Sequence, residues 1–225
     1  MKWNKEKLTI KEAMSIQQEL ASKVRLIPYE GVPSLVGGVD LSYSKKTGKF
    51  FAGLVIIAKG EEGFKVIEEV GFTGTPDFPY VPGLLSFREG PAVLELVRRV
   101  KNRPDVLFFD GQGIAHPRFL GIAAHIGVLL EMPSIGVAKS RLVGKYEEPG
   151  NEKGNFAPLM YHRKQVGVVL RTKRNTKPVF VSPGNLITIA DAMRLTLDFT
   201  GRYRIPEPTR LAHLFVNRLR VEQNP

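Results

Sequence analysis

The chain has 225 residues, 43% of them hydrophobic and 24% charged, which suits one domain spanning 1–225 with a sizeable core and excludes a disordered chain. No apolar run is long enough to cross a bilayer, and the N-terminal Met1-Lys2-Trp3-Asn4-Lys5 has no apolar stretch behind it, so neither a membrane span nor a signal peptide is expected. There is no cysteine, which removes disulfides, thiolate metal sites and cysteine nucleophiles and fits a cytoplasmic protein, expected to be monomeric, while a net charge of +11 points to a polyanionic partner.

In chain order, Thr9-Ile10-Lys11-Glu12 reads as a capping box that opens a helix, with apolar residues at helical spacing as far as Val24. A Pro/Gly turn follows, then three strand-like runs at 35–43, 50–58 and 64–71, joined by short polar connections that imply an antiparallel meander. A loop rich in Pro and Gly, 73–83, leads into helical periodicity over 84–100, and Pro91 is expected to kink or restart that helix. An apolar strand at 105–110 ends in an acid. A helix at 121–131, strands at 134–138, 165–171 and 179–181, and helices at 188–199 and 207–220 complete the chain. Three antiparallel strands followed by alternating helix and strand make a mixed α/β sheet flanked by helices.

Two acids stand out. Asp40 sits inside the apolar run Val36-Gly37-Gly38-Val39-Asp40-Leu41, where a buried carboxylate is costly, although an edge-strand residue facing solvent would look the same. Asp110 closes Val106-Leu107-Phe108-Phe109 ahead of Gly111-Gln112-Gly113, which also fits a turn-initiating Asp. Together in a basic chain they suggest a shared Mg²⁺ site and metal-assisted phosphodiester chemistry. Glu89 reads as a surface helix residue and His213 as a core or groove histidine; Lys139, after an apolar strand, is either solvated or a phosphate ligand. Tyr80, between Pro79 and Pro82, is a lid over the core or a stiff tip able to enter a base stack. Gly111, Gly113, Gly121 and Gly136 permit close backbone approach and are candidates for lining a pocket that takes an extruded base. The segment from Tyr161 to Phe180 carries Arg163, Lys164, Arg171, Lys173, Arg174 and Lys177 with no acid, and reads either as a solvated hairpin or as a phosphate-tracking surface.

Several blocks of the chain, Gly38-Val39-Asp40-Leu41-Ser42, the run from Pro79 to Pro91, the run from Asp110 to Arg118, the run from Gly136 to Leu142 and the run from Arg204 to His213, resemble endonuclease V, the deoxyinosine 3′ endonuclease family. The resemblance implies a ribonuclease H-like fold. It also implies recognition of hypoxanthine in DNA, with inosine-containing RNA as the alternative substrate, and a nick at the second phosphodiester bond 3′ to the lesion that leaves 3′-hydroxyl and 5′-phosphate ends. Carried onto this sequence, it makes Asp40 and Asp110 the ligands of Mg²⁺, with Mn²⁺ able to substitute. Glu89, Lys139 and His213 join them in the catalytic cluster, and Tyr80 becomes the wedge tip between Pro79 and Pro82. His116 falls in a matching block and is expected near the DNA. Leu85 and Leu142, with the four glycines, are the expected lesion pocket. A basic nucleic-acid-binding protein without catalysis is the remaining alternative.

Overall fold

A computed structural model describes residues 8–223; the N-terminal pentapeptide considered above lies outside them. Helix α1 (Ile10–Ala21) starts at the expected capping box, with the Thr9 side chain accepting from the Glu12 amide and the Glu12 carboxylate accepting from the Thr9 amide. Strands β1 (Val36–Tyr43), β2 (Phe50–Gly60) and β3 (Gly63–Gly74) form the antiparallel meander. Helix α2 (Leu85–Arg99) runs through Pro91 without restarting. Then follow β4 (Val106–Phe109), α3 (Ile122–Leu130), β5 (Ser134–Ala138), β6 (Phe156–Tyr161), β7 (Lys164–Leu170), β8 (Val179–Asn185), α4 (Ile189–Asp198) and α5 (Glu207–Gln223). No described helix is long and apolar enough to cross a membrane.

The sheet has eight strands in the order β3-β2-β1-β4-β5-β8-β7-β6. β1, β4 and β5 run parallel, and every other pairing is antiparallel. This is the mixed, helix-flanked sheet of the ribonuclease H-like fold. Strand β6 does not announce itself in the sequence. Its inward residues, Ala157 and Leu159, are buried, but the outward Phe156 and Met160 are also apolar and Pro158 interrupts the run, so polar alternation is lost. It is an edge strand, where a proline without an N–H is tolerated.

Both faces of the sheet are covered. On one, α4 and α5 pack over Val55, Ile57, Phe108 and Val181; on the other, α2 and α3 cover Leu54, Ile56, Leu107 and Phe109. Helix α5 lies unusually close to β1 and β2. A Cβ on Gly38 would sit 1.9 Å from the Pro208 carbonyl oxygen, and one on Gly53 would sit 2.7 Å from Phe215 and Val216. Gly53 is the cross-strand partner of Asp40, so the face that carries Asp40 is the face the helix crosses. The His213 side chain is thereby carried over Asp40.

Candidate active site

The register of the parallel β1–β4 pair fixes the centre of the site. Val39 pairs with Phe109, so the next residues along each strand, Asp40 and Asp110, come out side by side at the carboxyl ends, where ligands of such sheets collect. Asp40 is not an edge-strand residue facing solvent: β1 is paired on both sides and the Asp40 side chain is only 13% exposed. Burial pushes its carboxyl upward; a hydrogen bond from His213 opposes this, and the Asp110 charge adds to the rise. His213 Nδ1 lies 2.8 Å from Asp40 Oδ2, and Asn217 Nδ2 donates to His213 Nε2 at 2.9 Å.

Glu89 is not a solvated helix residue. It faces the two aspartates from α2. Burial pushes its carboxyl up to about 7; a hydrogen bond from Tyr43 opposes the shift, the Asp40 charge adds to it, the Arg88 charge opposes it, and the Asp110 charge adds a further rise. The Tyr43 hydroxyl donates to Glu89 Oε1 at 3.3 Å, and the Arg88 guanidinium lies 4.8 Å over the Tyr43 ring. Lys139, at the end of β5, donates from its ammonium to Asp110 Oδ2. The strand order therefore gathers Asp40, Asp110 and Lys139, while α5 brings His213 onto Asp40 and α2 brings Glu89 within reach of both aspartate charges.

Asp110 and Lys139 also stand in the wall of a cavity of about 430 Å³, in the range of small-molecule pockets. Tyr80, Pro82, Leu85, Gly111, His116, Gly121 and Leu142 share that wall. Gly113 and Gly136, expected there, stand behind it. A Cβ on Gly113 would meet the Pro183 carbonyl oxygen at 2.1 Å and one on Gly136 would meet the Gly113 nitrogen at 2.4 Å, so these glycines let backbone pack on backbone rather than open space for a ligand. Gln112, not singled out by sequence, does line the cavity; its amide donates to the Ser140 carbonyl at 3.1 Å and its Oε1 is buried without a hydrogen bond.

The Tyr80 loop is held at both ends and bare at its tip. Phe78 is buried against Phe87 at 5.8 Å, and Arg88 donates to the Phe78 carbonyl at 2.7 Å. After the tip, Val81–Leu84 forms a turn closed by a 2.9 Å hydrogen bond, with Pro82 second and Gly83 third at φ +77°, the positive-φ position of a type II turn. The Gly83 carbonyl accepts from Arg118 Nη2 at 2.7 Å and from Gln17 Nε2 at 3.1 Å. Gln17 also donates to the Leu120 carbonyl at 2.8 Å and accepts from Arg118 Nε. Tyr80 itself is 71% exposed. His116 is buried, and that burial, ahead of the Arg118 charge, pushes its imidazole down to about 4, leaving a neutral ring that accepts from the Arg118 amide at 3.2 Å. Sequence reasoning missed Gln17 and Arg118; an apolar helix face interrupted by a glutamine, Ile16-Gln17, was the available signal.

A ribonuclease H-like sheet with paired acids at the carboxyl ends of β1 and β4 defines a phosphodiester-cleaving nuclease, a hydrolase. A profile of the Endonuclease V family matches residues 18–214. The chain is 52% identical over 221 residues to endonuclease V of Kosmotoga olearia, covering 97% of this chain and 94% of that one. Among solved structures, endonuclease V from Streptomyces avermitilis superposes with a TM-score of 0.92 at 39% identity, covering 98% of this chain and 97% of that chain. Ciona intestinalis endonuclease V, in complex with a 24mer DNA containing an inosine followed by a ribo-adenosine, superposes at 0.84 with 26% identity, covering 96% of this chain and 99% of that chain. The chain belongs to the endonuclease V family.

Proposed function

We propose that this protein is a repair endonuclease that takes a hypoxanthine base from DNA into the cavity beside Asp110 and cuts the second phosphodiester bond on its 3′ side, leaving 3′-hydroxyl and 5′-phosphate ends. The observation that carries the reading is the shared wall: Asp110 and Lys139 border both the carboxylate cluster and the cavity below Tyr80. A base held in that cavity would lie a short distance along the strand from a phosphate at the cluster.

The donor set fits a hard divalent cation. The Asp110 charge raises the proton affinity of Asp40, and the charges of Asp40 and Asp110 raise that of Glu89, a repulsion that a cation between them relieves. Among the described residues no three Asp, Glu or His form a ready-made cage; Mg²⁺ needs only one or two carboxylates, with water and substrate phosphate completing its shell, and Mn²⁺ accepts similar ligands. Asp40 and Asp110 are assigned as its ligands. When bound, such a cation polarises the phosphoryl oxygen and lowers the pKa of the attacking water.

The remaining roles follow from the side chains. His213 orients Asp40 through Nδ1 and is itself held by Asn217. Lys139 neutralises Asp110 and is placed to take a phosphate oxygen as substrate enters. Glu89, with its carboxyl near 7, holds a proton beside the aspartates and can release it near neutrality. Tyr80 fills the gap left in the stack, and extrusion costs a few kcal/mol, less for a weakly paired base, so selection begins before the cavity is reached.

The deciding experiment is a nicking assay on a duplex with one deoxyinosine, with and without Mg²⁺, comparing wild type and Asp110→Ala. The wild type should nick once, beyond the lesion, only with the cation, and Asp110→Ala should bind the duplex without nicking it. Near-normal nicking by the variant would overturn the assignment. A second reading, cleavage of inosine-containing RNA, draws support from the ribo-adenosine that follows the inosine in the Ciona complex; matched DNA and RNA oligonucleotides compared by initial rate decide between them. The reading without catalysis is set aside, because the chain belongs to a family of nucleases.

A further inference from the structure

The basic run from Tyr161 to Phe180 does not act as one surface. Arg171 is 5% exposed and holds the Gly150, Pro149 and Thr176 carbonyls together with the Glu148 carboxylate. Lys173 donates to the Arg202 carbonyl at 3.0 Å, and Arg174 pairs with Glu152 at 3.0 Å. These cations brace loops. The β6–β7 turn is different. Tyr161 pairs with Lys164, so the turn proper is His162-Arg163. Both residues have positive φ, +46° and +62°, the form that hairpins of this length reserve for Asn-Gly or Gly-Gly. The His162 ring lies against the Tyr161 ring, 4.1 Å between centroids, and the His162 and Arg163 side chains are both exposed. Arg163 makes no ion pair among the described residues, and the Lys164 ammonium has only the Phe119 ring, 5.7 Å away.

This strained, cationic turn is attached to the cavity. The Tyr161 ring lies 5.7 Å from that of Phe119, which itself has φ +55°. Phe119 stands between His116 and Leu120, both in the cavity wall. The tight hairpin imposes positive φ at both turn residues, and here it is kept without the Asn or Gly that adopts it most readily; unpaired cations beside a nucleic-acid site are the means of holding phosphate.

We propose that the β6–β7 turn is a backbone clamp in which Arg163 and Lys164 hold phosphates of the strand that flanks the base in the cavity, with Tyr161 and Phe119 locking the clamp to the cavity wall. It rests on the endonuclease reading above and adds a contact surface to it. The clamp carries no sequence information. It fixes the register of the lesion over the cavity, and its contribution is electrostatic and therefore salt-dependent.

The test is binding of a fluorescent deoxyinosine duplex in EDTA across a salt series, for wild type, Lys164→Gln and the pair His162→Asn with Arg163→Gly. The Asn-Gly pair suits this turn, so the double variant should melt at a higher temperature than wild type while binding more weakly. Each variant should reduce the slope of log affinity against log salt by about 1, the loss expected for one phosphate contact. Wild-type slopes in both variants would overturn the clamp. Single-turnover nicking by the wild type, measured alongside, separates the two readings. A wild type that does not nick deoxyinosine DNA sinks the endonuclease assignment, whereas a nicking wild type with unchanged variant slopes sinks only the clamp.

Discussion

His213 Nδ1 and Asp40 Oδ2 stand 2.8 Å apart although 173 residues separate them in the chain. The contact exists because Gly38 and Gly53 let α5 lie against β1 and β2. The ring is half exposed and the carboxylate is not, so the histidine covers the outer side of an acid that β1 alone would leave without a partner there.

His213→Ala should therefore act first on Asp40. Losing a group that orients a ligand carboxylate typically costs about 10–100-fold in metal affinity or activity. Nicking should need correspondingly more Mg²⁺ to saturate. Asn217→Ala, which frees only the far nitrogen of the ring, should shift the Mg²⁺ requirement in the same direction by less. An unchanged Mg²⁺ dependence in His213→Ala would show that the contact is dispensable.

Glu89 makes the cation-free protein pH-sensitive. Its carboxyl lies at about 7 when folded against the ordinary 4.5. Between those values the folded state binds more protons than the unfolded state, so stability falls as pH rises through that window. Asp40, raised in the same direction, adds to the effect. In EDTA, wild type should lose melting temperature between pH 5 and pH 8 relative to Glu89→Gln. Mg²⁺ should restore part of that loss at pH 8 in wild type and less in Asp110→Ala. Parallel pH profiles for wild type and Glu89→Gln would contradict the burial argument.

Tyr80 is exposed at the tip of a loop anchored at both ends. Its truncation costs the fold little. Tyr80→Ala should instead lower affinity for the deoxyinosine duplex more than affinity for undamaged duplex, with a loss of stacking on the order of 1–3 kcal/mol. Equal losses on the two duplexes would argue against a wedge.

Gln17 is the reason the Tyr80 loop has a fixed base. It is fully buried and serves the Gly83 and Leu120 carbonyls and the Arg118 guanidinium. Gln17→Ala leaves those groups short of partners, at about 1–3 kcal/mol. The melting temperature should fall, and discrimination between damaged and undamaged duplex should fall with it. Lower stability with unchanged discrimination would confine Gln17 to a structural role.

Much was legible along the chain because its signals are local. The capping box at Thr9 and Glu12, the alternation and apolar runs of β1 to β3, and the acids set into β1 and after β4 depend on neighbours a few residues away. The motif blocks likewise carried the family and nominated the candidate site residues. Strand β6 was hidden because its outward face is apolar and interrupted by Pro158, and a surface glutamate was the natural reading of Glu89 because helical periodicity says nothing about what a helix will face.

What the tertiary structure alone decided is adjacency. Strand pairing put Asp110 beside Asp40, and a glycine-lined approach put His213 above it. Backbone packing turned Gly113 and Gly136 away from the cavity, and long-range contacts set Arg171, Lys173 and Arg174 to brace loops while Arg163 and Lys164 sit at a tight hairpin turn without an ion pair among the described residues. Periodicity records which face of an element is apolar; which elements meet, and how closely, depends on sheet order and on side chains far apart in sequence.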